Sequence, residues 1–206
     1  MTKVDLKKSI AAYTAPRGSF EIVDVPPMRY LMVDGHGDPN TSQEYGDAVA
    51  AVFGVAYKLK FLSKAELGRD YVVMPLEGLW WADDMTSFTS QRDKSRWSWT
   101  MMSLVPEWLD GGHFERARET AGVKGASPAL GRLRLEELAE GRSVQTLHVG
   151  SYDDEAPVLA EMHEQFIPEA GLRMRGRHHE IYLADPRRTA PEKLRTILRQ
   201  PVEPAG

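Results

Sequence analysis

The chain contains no cysteine among its 206 residues. That absence excludes disulfides, thiolate nucleophiles and thiolate metal sites together. Long apolar runs are missing too, and nothing approaches the roughly 20 consecutive apolar residues of a membrane span. The N-terminus is basic, but its apolar portion is too short for a secretory signal. Charge of one sign is equally scarce: 26 Lys and Arg against 30 Asp and Glu leave a net charge of −4. A nucleic-acid partner would call for a concentrated basic patch, and none is present. The P-loop, the GxGxxG fingerprint and the GxSxG elbow are all absent. These absences predict a soluble cytoplasmic protein that binds neither nucleic acid nor membrane and needs no nucleotide cofactor.

Metal ligation is also poorly served. His178 and His179 are adjacent, so on a strand they point to opposite faces and cannot readily share one ion. His36, His113, His148 and His163 have neither HxH nor HExxH spacing. No metal and no other cofactor is expected. The basic stretch around Arg173, Arg175, Arg177, Arg187 and Arg188 is balanced by nearby acids and reads as solvated surface.

Among the residues that are present, hydrophobic ones make up 42%, enough for a sizeable core, and there are five Trp. Trp80, Trp81, Trp97 and Trp99 form two pairs within one short region. Such a concentration suits the aromatic wall of a ligand pocket as well as a core.

The order of elements repeats. Phe20 to Val25 and Met28 to Val33 read as strands divided by Pro26-Pro27. Thr41 and Glu44 have capping-box spacing before a helix whose apolar stripe runs from Tyr45 through Leu59 to about Lys60. Extended segments follow at Asp70 to Trp81 and, after a polar loop, at Trp97 to Val105. In the second half, strands are expected around Leu133–Leu135 and Ser143–Val149, with a turn at Glu140-Gly141. Asp153 or Asp154 is placed to cap a helix bearing Ala156, Leu159, Met162, Phe166 and Ile167. His178 to Leu183 is the next strand, then a second capping-box spacing at Thr189 and Glu192, then a final strand to Val202.

This predicts an α+β fold of duplicated modules related by a pseudo-two-fold axis, with an antiparallel sheet, helices on one face and a groove between modules. The boundaries are an N-terminal extension over 1–19, a first module over 20–106, a helical connector over 107–131 and a second module over 132–202. Overlaying the modules matches LEGLWW (76–81) with HEIYLA (179–184). Glu77 and Glu180 then take equivalent places beside Trp80, Trp81 and Tyr182. A carboxylate walled by aromatics serves as counter-charge for a flat cation. Equally, burial can raise its pKa until it works as a general acid or base. Tyr152 or Tyr182 is suited to orient a water or hydrogen-bond a carbonyl.

The segments TLHVGSYDDEAPVLAEMHEQFI (146–167) and RHHEIYLADPRRTAPEKLRTILRQPV (177–202) resemble the GyrI-like small-molecule-binding domains. VDGHGDPNTSQEY (33–45), PLEGLWW (75–81) and RWSWTMM (96–102) resemble the stand-alone bacterial subgroup. The resemblance runs from about Phe20 to Val202. It implies duplicated β-α-β-β modules of the SHS2 type, with a ligand groove between them and a central glutamate matching Glu180. Tyr152, Tyr182, Trp80 and Trp81 match the groove aromatics, and Trp97 and Trp99 extend that set. It implies binding of flat, hydrophobic, often cationic xenobiotics in a protective role. A second implied activity is hydrolysis of cyclopropanoid DNA-alkylating natural products, with Glu180 or Glu77 as base and Tyr152 assisting. A third is interaction with DNA gyrase, which the unusual LEGLWW and RWSWT aromatics disfavour. Regulator members carry a helix-turn-helix module ahead of this domain, for which the 19 residues before the first strand leave no room.

Overall fold

In the computed structural model, which describes residues 3–83, 93–123 and 125–206, the chain folds as a mixed α+β protein built on antiparallel strands. Contacts divide it into two compact units: 1–9 with 28–138, and 10–27 with 139–206. The polar segment 84–92, part of the loop expected after Trp81, lies outside the described residues.

The first unit contains β2 (Met28–His36), α1 (Gln43–Glu66), β3 (Glu77–Trp81), β4 (Ser98–Leu104), α2 (Gly111–Gly122) and β5 (Arg134–Leu138). Its strands run in the order β3-β4-β2-β5. Helix α1 packs on β2 and β4 through Ala48, Ala51, Val52, Val55, Ala56 and Leu59, and α2 lies against α1. Ser42, one residue beyond the expected Thr41, caps α1 by accepting a hydrogen bond from the Tyr45 amide at 3.3 Å. A cap oxygen satisfies one of the first-turn amides that no carbonyl can reach. The helix also continues past Lys60 to Glu66, because Lys60 binds both the Asp70 carboxylate and the Tyr71 carbonyl and Ser63 Oγ donates to the Arg69 carbonyl at 2.7 Å. The extended segment expected from Asp70 condenses to a single bridge, Val4 to Tyr71, before β3 begins. The connector holds α2, and Gly111-Gly112 opens that helix after an Asp110 capping box rather than breaking it.

The second unit contains β1 (Glu21–Val25), β6 (Gly141–Val149), β7 (Leu172–Met174), β8 (His178–Tyr182) and β9 (Arg195–Pro204). The order is β1-β6-β9-β8, with β7 also on β9. Its helical segment is α3 (Ala156–Ala160), a π-helical stretch over Glu161–Phe166 and α4 (Ile167–Glu169). Met162 and Ile167 from that segment meet Val144, Leu172, Leu198 and Val202 in one core. Neither Asp153 nor Asp154 caps it. Both lie in a preceding 3-10 turn, and Glu155 takes the N-cap place without a side-chain bond. At the second expected capping box, Pro191–Lys193 forms one 3-10 turn behind Ala190, again without a side-chain cap.

The two units interleave along the chain. β1 pairs with β6, and β5 pairs with β2. The segment 20–25, expected at the head of the first module, therefore belongs by contact to the second unit, and β5 belongs to the first. Pro26-Pro27 explains the parting of β1 from β2. Two prolines lack N–H donors and the positive φ that tight hairpin turns need, so the strands they join do not fold back on each other.

Candidate functional site

Strand β8 positions the acid that stands out from the sequence. Side chains alternate along a strand, so His178, Glu180 and Tyr182 share one face, while His179 and Ile181 point to the other. The Tyr182 hydroxyl donates to Glu180 Oε2 at 2.8 Å. His178 Nε2 stands 3.5 Å from the other carboxylate oxygen, Oε1. Glu180 and His178 keep only 14% and 10% of their side-chain surface exposed. The Tyr152 ring meets the Tyr182 ring edge-on, with centroids 5.5 Å apart. Burial, then the negative charges of Glu155, Glu180 and Asp185, push the Tyr152 hydroxyl up to about 12. Tyr152 is therefore a firm proton donor at neutral pH and not a phenolate.

The floor of this cluster is made of histidine. The His163 and His178 rings meet edge-on at 5.9 Å. His163 Nε2 and both His178 ring nitrogens are buried and make no hydrogen bond among the described residues. Burial, with the His178 charge adding to it, lowers His163 to about 4, so it stays neutral. His163 sits in the π-helical stretch, a local widening of the helix that often accompanies functional sites. Buried polar atoms usually find partners, and three imidazole nitrogens without one beside a carboxylate mark polar capacity that the fold itself does not consume.

In the first unit, Trp80, Trp97 and Trp99 come together through a residue the sequence reading placed only in a helix stripe. Tyr45, in the first turn of α1, stacks on Trp80 at 6.4 Å and meets Trp99 edge-on at 5.3 Å. Trp80 meets Trp97 at 5.7 Å. The rings thus run Trp99, Tyr45, Trp80, Trp97. Trp99 is completely buried and Trp80 nearly so, whereas Trp81 and Trp97 are only partly covered. Of these tryptophans, Trp81 and Trp97 keep part of their surface exposed, and Trp99 belongs to the core. Glu77, at the start of β3, is wholly buried.

The other face of β8 carries a polar network that the sequence reading missed. Glu140, expected only as a turn residue, turns inward beside Gly141, whose φ of 64° suits glycine. Its carboxylate takes the His179 Nδ1 atom at 2.9 Å and the Arg199 guanidinium at 2.8 Å. Arg199 also donates to Gln145 at 3.1 Å and to the Ala12 carbonyl. Gln145 reaches the Thr14 carbonyl at 2.9 Å. Burial alone would raise the Glu140 carboxyl, but His179 and Arg199 override it and hold the group at about 2. The network ties the N-terminal segment to the second unit. A signal for it existed: His179 and Arg199 are paired in register and share the phase of Ile181 and Ile197, positions a strand reserves for the core.

A cavity of about 220 Å³ lies between Arg17–Phe20, β6 and the helical segment, lined by Thr146, His148, Val158 and Glu161. None of the expected site residues lines it. Among the described residues, no group of His, Asp and Glu is arranged to hold a metal ion, and no helix is long and apolar enough to cross a membrane.

Comparison with known proteins fits this picture. The profile of the GyrI-like small molecule binding domain matches residues 19–203. A solved structure of an uncharacterized conserved protein from Listeria innocua is 39% identical, covering 98% of this chain and 100% of its own, with a TM-score of 0.88. Another, described as a hydrolase from Listeria innocua, is 38% identical over the same shares with a TM-score of 0.83. The C-terminal domain of EcmrR shares the fold alone, at 11% identity, 90% and 98% coverage and a TM-score of 0.53. No curated protein matches the chain. The profile matches nearly the whole chain and the Listeria relatives share its fold over their full length, so the chain belongs to the family of GyrI-like small-molecule-binding domains.

Proposed function

We propose that this protein binds flat, hydrophobic and often cationic small molecules against the Glu180 cluster, and that it protects the cell by sequestering them. The observation that carries this reading is the Glu180 carboxylate itself. It is largely withdrawn from water, has a tyrosine on one oxygen and a histidine near the other, and is flanked by the edge-on pair of Tyr152 and Tyr182. A desolvated carboxylate attracts a cation far more strongly than a solvated one. Aromatic faces add about 0.5–2 kcal/mol of cation–π attraction once water is excluded.

Titration of a planar cationic dye against intrinsic fluorescence tests the proposal. Saturable binding is expected, and Glu180→Gln should weaken a cationic dye by about ten-fold or more while sparing a neutral isostere. Absence of saturable binding for any planar apolar ligand sinks the reading.

A second reading, hydrolysis, is favoured by the relative at 38% identity that is described as a hydrolase. Here Glu180 takes a proton from water, and the water oxygen bonds to a strained ring carbon of the substrate as a ring C–C bond to that carbon breaks. Tyr152, held protonated, hydrogen-bonds the carbonyl into which the released electron pair moves. Cyclopropanoid DNA-alkylating compounds carry that combination of strained ring and conjugated carbonyl. Under this reading Glu180→Gln abolishes ring opening but leaves the substrate bound, and full turnover in that variant removes Glu180 as the base. The gyrase reading gains no support from the geometry of the Glu180 cluster.

A further inference from the structure

Helix α1 presents two faces. Its inner face is Ala48, Ala51, Val52, Val55, Ala56 and Leu59, all buried. Its outer face is apolar as well, which a solvated helix does not need. Tyr57 and Phe61 are 49% and 59% exposed, and the Phe53 ring leans on Tyr57 at 6.4 Å. One to three turns before Tyr57 the same face narrows to Gly46, Ala50 and Gly54. At 3.6 residues per turn, Gly46, Ala50, Gly54, Tyr57 and Phe61 fall within about 80° of arc.

The glycines have no use inside the molecule. A Cβ at Gly46 or Gly54 would meet nothing within 4 Å, and neither has a positive φ. Glycine in mid-helix costs stability relative to alanine, so a reason for keeping two of them lies outside the chain.

We infer that this face of α1 docks on the same face of a second copy of the chain, helix antiparallel to helix about a two-fold axis. The sequence of the face carries the argument, because it is complementary to itself in both shape and charge. Its N-terminal half is a trough of small residues and its C-terminal half is a ridge of aromatics. Antiparallel pairing lays each ridge in the other copy's trough, and both contacts form at once, as an isologous interface requires. With the axis midway between Val52 and Phe53, Tyr57 of the second copy lies over Gly46 and Ala50. The same register sets Asp47 opposite Lys58 of the second copy, twice over. These two residues lie on the same flank of the stripe, so a two-fold axis brings them together. Neither has an ion-pair partner among the described residues; the Asp47 carboxylate accepts from Gln43 within its own helix at 3.0 Å, and its backbone carbonyl accepts from Ser127 Oγ at 2.6 Å.

The contact is one helix wide. A strip of about 30 by 10 Å per copy falls short of the ~800 Å² per partner of a standard interface. The dimer is therefore weak and reversible.

Sedimentation equilibrium of the full chain, up to about 1 mM, tests this. A monomer–dimer equilibrium is expected. Asp47→Lys and Lys58→Asp should each weaken it by about ten-fold, and the double exchange should restore it. Gly54→Leu fills open space with a strong helix former, so it should raise the melting temperature of the monomer while abolishing association. A chain that stays monomeric throughout overturns the inference. So does a dimer indifferent to Gly54→Leu, or one that the double charge exchange fails to restore.

Discussion

Gly35→Ala is a one-methyl change whose cost follows from a single contact. Gly35 on β2 is paired in register with Trp99 on β4. A Cβ built on Gly35 would stand 2.1 Å from Trp99 Cη2 and 2.5 Å from both Cζ2 and Cζ3. Carbon atoms pack at about 3.5–4.0 Å, so the indole must retreat by about 1.5 Å. It has nowhere to go. Trp99 is completely buried, its Nε1 donates to the Gly37 carbonyl at 3.1 Å, and Tyr45 meets it edge-on at 5.3 Å. Overpacking a closed core costs about 1–3 kcal/mol, and giving up a buried aromatic costs about 3–5. The overlap falls on the outer edge of the six-membered ring, which is rigid and moves only with the whole indole, so about 3 kcal/mol is expected. That far exceeds the 0.5–1 kcal/mol or so gained by removing a strand glycine. Urea unfolding followed by circular dichroism measures it. In a Trp99→Leu background the same Gly35→Ala change should cost almost nothing, giving a coupling of about 2 kcal/mol or more. A loss under about 0.5 kcal/mol in the parent, or additivity of the two changes, would refute the steric account.

Acid should destabilise the fold in two stages. His163 falls from its ordinary 6.5 to about 4, so stability present above pH 6.5 is lost as pH falls toward 4. Glu140 falls from 4.5 to about 2, so its share is lost between those values. Each window amounts to about 3 kcal/mol, and His163→Leu should flatten the upper one while leaving the lower, as read by thermal melts across pH. Glu140→Gln strands Arg199 in the core and should cost about 3–5 kcal/mol in urea unfolding, whereas an exposed ion pair such as Arg116–Glu66 should cost under 1. Ser42→Ala should remove about 1 kcal/mol through loss of the α1 cap, and Thr41→Ala next to it should be nearly silent.

The α+β class, the antiparallel strands and the repeated element order were legible in the sequence, because they rest on local periodicity and on punctuation by Gly and Pro. The shared face of His178, Glu180 and Tyr182 was legible for the same reason: strand alternation is a property of the backbone alone. Cap identity was not. Ser42 and Thr41 carry the same chemistry one residue apart, and only the path of the chain into α1 selects between them.

What the sequence determined by itself was the inventory: a chain without thiols or a metal set, two acids beside aromatics, and four tryptophans close together. Tertiary structure decided which of these have work left to do. Pro26-Pro27 forbids a hairpin, yet only the assembled sheet sends β1 to β6 and β5 to β2. Trp99 looked like pocket wall and is core, and the edge of its ring takes the space that a Cβ on Gly35 would fill. Glu140 looked like a turn and is the buried anchor of Arg199. In each case the deciding contact joins residues far apart in the chain, and no local pattern records which distant partner a side chain will meet.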